Sequence, residues 1–89
     1  MTEIKGSPAQ LEAVANALES YAAAISRETL GADEQLASLR RTFVGNRAES
    51  FFRQYDAAHG ETQLMINQLR ALAEDLRVAA RALRAADNL

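Results

Sequence analysis

The chain has 89 residues but no cysteine, no tryptophan, a single lysine, a single histidine and one proline. Without cysteine there is no disulfide framework, no thiolate metal site and no thiol nucleophile. That suits a protein of the cytosol, and equally one exported after folding. With one proline and four glycines, few positions force a helix to stop. A formal net charge of −2 is close to balance and gives no strong pull towards nucleic acid or an anionic membrane. No apolar run is long enough for a transmembrane segment. The start, Met1-Thr2-Glu3-Ile4-Lys5-Gly6, lacks the apolar centre of a cleaved signal peptide. If such a protein leaves the cell, its route does not use one.

What is abundant is alanine, leucine, glutamate and arginine, a composition that favours long helices over sheet. One domain is expected over residues 1–89, small enough that burying sufficient surface alone is difficult. The one region with both a break and an aromatic cluster lies at mid-chain, from Arg40 to Tyr55. There Gly45-Asn46 can take the left-handed backbone that ends a helix. Phe43, Phe51 and Tyr55 are placed to pack across the bend and clamp two antiparallel helices at their joined end.

Residues 1–6 read as a flexible lead. Ser7-Pro8-Ala9-Gln10 then makes a good helix start, with Ser7 as cap, Pro8 at the first helical position and Gln10 in capping-box position. Apolar residues follow at Leu11, Val14, Leu18, Tyr21 and Ile25, then Thr29, Ala32, Leu36, Leu39 and Phe43. Two successive steps of four, Tyr21 to Ile25 to Thr29, form a stutter. Gly31 lies just beyond, yet no proline or cluster of turn residues breaks the run. The expectation is a first helix over about 8–42, a turn at 43–46 and a second helix over about 47–86. The second helix reads Ala48, Phe51, Tyr55, Ala58, Thr62, Met65, Leu69, Leu72, Leu76, Ala79, Leu83 and Ala86, an unbroken three-four alternation. Asp87-Asn88-Leu89 reads as a fraying end.

Apolar residues also spill beyond one stripe, at Ile25, Leu30, Phe52, Leu64, Ile66 and Val78. Fully burying one large side chain is worth about 1.5–3 kcal/mol, so several left wet forgo much of the roughly 5–15 kcal/mol that holds a domain together. A second hairpin would cover them, and Ala13, Ala15, Ala17, Ala22 and Ala24 would let helices approach closely. The fold class is therefore all-α: an antiparallel helix-turn-helix hairpin that dimerises into a four-helix bundle.

Catalytic signatures are weak. Asp56 and His59 share a helix face as in metal-binding bundles, but such sites need inward carboxylates from the other helices, and Glu28 is the sole acid near the first seam. The serines have no histidine at a suggestive spacing, and there is no glycine-rich phosphate loop. Arg70, Arg77, Arg81 and Arg84 form one stripe, and Arg40, Arg41, Arg47 and Arg53 another cluster. Glu49, Glu74 and Asp75 interleave with them, so they read as solvated helix faces rather than a nucleic-acid footprint. No cofactor, metal or catalytic residue is expected, and the protein reads as a binding module, not an enzyme.

With Phe43-Val44-Gly45 at the turn between two amphipathic runs, nearly the whole chain resembles the WxG-motif family. These ESAT-like (Esx) helical hairpins are substrates and partners of bacterial type VII (ESX-like) secretion. The family's tryptophan is Phe43 here, which keeps the aromatic plug and loses the indole N–H. The resemblance implies a homodimer, or a heterodimer with another WxG-family protein. It also implies recognition by the secretion-system ATPase and a cytoplasmic stage before release outside the cell or at its surface. The family's C-terminal Tyr-x-x-x-Asp/Glu export signal is matched by Leu83-Arg84-Ala85-Ala86-Asp87, with the acid in place and leucine where tyrosine is expected. A second reading is a non-secreted helical partner or targeting chaperone for a larger type VII effector.

Overall fold

The computed structural model of the protein describes residues 6–87. The lead expected over residues 1–6, Gly6 apart, and the fraying end at Asn88-Leu89 lie outside the described residues. Two helices make up the fold: α1, Pro8–Thr42, and α2, Asn46–Asp87. They pack against each other along their length as an antiparallel hairpin about 66 × 24 × 12 Å. The smallest dimension is about one helix diameter, so the molecule is a slab with two broad faces open to solvent.

Each helix end has a local cause. Ser7 is extended and its hydroxyl accepts the Gln10 N–H at 3.4 Å, with Pro8 opening the helix where its missing N–H costs nothing. At the other end Phe43 turns extended, and its N–H donates to the Leu39 carbonyl at 2.8 Å. Arg40 and Arg41 in that last turn complement the helix dipole. The chain reverses through Gly45 at φ +112°, a region L side chains rarely adopt. Asn46, expected to share that left-handed turn, is instead the first residue of α2.

The seam between the helices differs in phase from the sequence expectation. On α1 the covered positions are Leu11, Ala15, Leu18, Ala22, Ile25, Thr29, Ala32 and Leu36. On α2 they are Ala48, Phe52, Tyr55, His59, Thr62, Ile66, Leu69, Ala73, Leu76, Ala80 and Leu83. Thus Ala15 and Ala22 replace Val14 and Tyr21, and the expected stutter disappears: the α1 alternation of four and three is unbroken. Likewise Phe52, Ile66, Ala73 and Ala80 replace Phe51, Met65, Leu72 and Ala79, with His59 in place of Ala58. Phe52 and Ile66, read from sequence as flanking spill, are the two large side chains of the core, and the other five buried residues are alanines. The physical reason is the close approach that alanine permits: the smallest residues face the neighbouring helix and bulkier ones rise beside the contact. The seam threonines hide their hydroxyls by bonding back one turn, Thr29 to the Ile25 carbonyl and Thr62 to that of Ala58.

Candidate functional site

The hairpin's two broad faces are chemically opposite. Residues that follow a seam position carry the charge. On α1 these are Glu12, Glu19, Asp33 and Arg40, and on α2 Glu49, Asp56, Arg70, Arg77 and Arg84, all spaced by multiples of seven within their helix. Across the hairpin Arg84 pairs with Glu12, Arg77 Nη1 donates to Glu19 Oε1 at 3.0 Å, and Arg40 Nη2 donates to Asp56 Oδ1 at 2.6 Å. Each heptad up α1 is matched by a heptad down α2, which fixes the antiparallel register. Arg77 also donates to Asn16 Oδ1 at 3.1 Å. The arginine stripe read as a solvated face is therefore partly a brace between helices.

Since the ion pairs join columns that follow the seam, the columns that precede it share the other face. These hold Val14, Tyr21, Glu28 and Gln35 on α1, and Phe51, Ala58, Met65, Leu72, Ala79 and Ala86 on α2. Val14, Tyr21, Phe51, Met65 and Leu72 are 50%, 61%, 42%, 42% and 53% exposed. Of the packing residues expected from sequence, Leu11, Leu18, Ile25, Leu36, Tyr55, Leu69 and Leu76 are half-buried along the seam, while those five and Leu39 stay exposed. Leu30, Leu64 and Val78 are exposed as well.

At the turn, Phe43 stands edge-on to Phe51 and Phe52, with ring centroids 6.3 and 6.0 Å away. Arg40 lies over the Phe52 ring at 4.5 Å, within cation–π range. Tyr55 does not join this clamp. Its hydroxyl donates to Asp33 Oδ1, and His59 Nε2 lies 3.0 Å from Asp33 Oδ2. The Tyr55 bond is the main reason that the Asp33 carboxyl is held below the ordinary aspartate range, and the same bond raises the Tyr55 phenol. Sequence reasoning missed Asp33, although its heptad column with Glu12, Glu19 and Arg40 was a signal. Asp56 and His59, a potential ligand pair by spacing, instead turn to Arg40 and Asp33 respectively.

Phe43 is 37% and Val44 78% exposed, so the tripeptide 43–45 presents apolar surface at the tip rather than a buried plug. At the opposite end Leu83 is half-buried in the seam, whereas Asp87 is exposed beside Ser7, Pro8, Ala9 and Arg84. The two export-signal candidates therefore do not present equal surfaces. Among the described residues no helix is long and apolar enough to cross a membrane.

No curated protein and no solved structure matches the chain. A family model described as proteins of 100 residues with WXG matches residues 3–88. The aromatic-x-Gly turn between two long helices, matched over nearly the full length, makes this chain a member of the WXG100 family, which implies an ESAT-like substrate of type VII secretion.

Proposed function

We propose that the protein acts by binding rather than catalysis, and is exported through a type VII secretion system as a folded pair of hairpins. In this reading the face holding Val14, Tyr21, Phe51, Met65 and Leu72 is covered by a companion hairpin, giving a four-helix bundle. The observation that carries it is the imbalance between outside and inside. Five large apolar side chains line one face, while the hairpin's own core holds only Phe52 and Ile66 besides alanines. At about 1.5–3 kcal/mol for each large side chain fully buried, and with these about half covered already, covering that face adds roughly 4–7 kcal/mol per hairpin, comparable to the low end of a domain's stability.

The companion is a second copy or another member of the family, and the cytoplasmic secretion ATPase reads the exported pair. Asp87, exposed at the end of α2, is the better placed half of the export address, with Leu83 beside it. Asp87→Asn is the clean test, because it leaves the seam and the Arg84–Glu12 pair intact. Export should fall while dimerisation measured by sedimentation is unchanged; undiminished secretion would refute the address. The half-buried Leu83, standing where the family signal has tyrosine, favours a second reading: a partner or targeting chaperone that stays in the cell and leaves the address to a larger effector. In that case Asp87→Asn changes nothing, and the effector is lost from the medium when this chain is deleted.

A further inference from the structure

Midway along the apolar face lies a notch. Glu28 stands in the same column as Val14 and Tyr21, so a carboxylate interrupts the apolar run of α1. Around it Thr29, Ala32, Ala58 and Thr62 line an open groove of about 250 Å³ together with Glu28, Tyr55 and His59. Glu61 and Asp75 flank the same face, one three residues after Ala58 and the other three after Leu72. All three acids are exposed. None of them makes an ion pair among the described residues, whereas Glu12, Glu19 and Asp56 on the opposite face each hold an arginine. The apolar columns contain no cation: they read Val, Tyr, Glu, Gln on α1 and Phe, Ala, Met, Leu, Ala, Ala on α2.

We infer that the groove beside Glu28 receives an arginine or lysine from the companion hairpin, so that the preferred partner is a different helical hairpin with a basic residue in its apolar face. The inference rests on the proposal that this face is a dimer interface. A long basic side chain suits the notch, since its aliphatic stem can lie along Ala32 and Ala58 while its charged end meets the carboxylate. A second copy brings Glu28, Glu61 and Asp75 to the same face against one cation, Arg47, which stands at the tip two heptads before Glu61, and like charges brought together at an interface oppose association.

The test uses the chain as its own probe, because Glu28→Lys supplies the missing cation. Isotope-labelled wild type and unlabelled Glu28→Lys are mixed in equal amounts, and the dimers, now separated in mass by the label, are counted by native mass spectrometry. Glu34→Lys, the same charge change at an exposed position of α1 outside both columns, serves as control, with circular dichroism verifying helicity throughout. The expected result is a mixed Glu28→Lys/wild-type dimer about fivefold tighter than the wild-type homodimer, the upper range for an exposed ion pair. Mixing with Glu34→Lys should give the statistical half of mixed dimers. A tight wild-type homodimer, indifferent to salt and to Glu28→Lys, would overturn the inference and leave the dimer reading standing. Monomers in every mixture would overturn both.

Discussion

The two broad faces of the hairpin are built from the same helices and differ by a rotation of about two residues, yet they do different work. One is braced: Arg40, Arg77 and Arg84 each find a carboxylate across the seam within the chain. The other is unfinished, because its largest side chains leave about half their surface to solvent. The braced face sets register and the apolar face is left to meet something else. A hairpin this thin cannot hide both sides, so the placement of charge decides which side is available.

That contrast can be broken in graded ways. Destroying what both faces share has the largest effect. Phe52→Ala should cost about 3–5 kcal/mol in chemical denaturation. Phe43→Ala, at an edge-on and partly exposed ring, should cost about 1 kcal/mol, within the value of an aromatic pair; equal losses would show that the tip is packed as tightly as the seam. Leu72→Glu attacks the apolar face alone. It should weaken the proposed dimer about a hundredfold, or ~2.7 kcal/mol, while sedimentation shows a helical monomer. Arg77→Ala attacks the braced face, removing the Glu19 and Asn16 contacts. It should cost about 1 kcal/mol or less of hairpin stability with the dimer constant unchanged.

The smallest effect is pH dependence at the Asp33–Tyr55 contact. Asp33 is lowered chiefly by the Tyr55 hydroxyl, so its contribution is present above the ordinary aspartate range and is lost as pH falls through its lowered value. Tyr55 is raised by the same bond, so its contribution is present below the ordinary phenol range and is lost as pH rises through the raised value. Asp33→Asn should flatten the acid limb of a stability profile, and Tyr55→Phe the alkaline limb. An acid limb of unchanged slope in Asp33→Asn would show that the contact carries no linkage.

The hairpin was legible because helical periodicity, the Ser7-Pro8 start and the glycine at position 45 all point to two long helices. The phase of the seam was not. Periodicity read from bulk selects Val14, Tyr21, Met65 and Leu72, whereas geometry puts the smallest residues where backbones come closest. The wet residues therefore looked like the core, and Phe52 and Ile66 looked like spill. The clue was the stutter, since an apparent defect at Tyr21–Ile25–Thr29 vanishes when Ala15 and Ala22 are taken as the contact. The Asp33 cluster was hidden for another reason: its members lie 22 and 26 residues apart in sequence, and only antiparallel pairing unites them.

The alanine contact has a consequence for partner choice. Ala15, Ala22, Ala73 and Ala80 act as a gauge, holding the arms at one fixed spacing and so setting the width between Val14 and Tyr21 on one rail and Met65 and Leu72 on the other. A bulkier residue at any of those four sites would widen the track without touching the proposed companion. A relative with leucines there would have to find a different mate, even if every residue on its outer surface were the same.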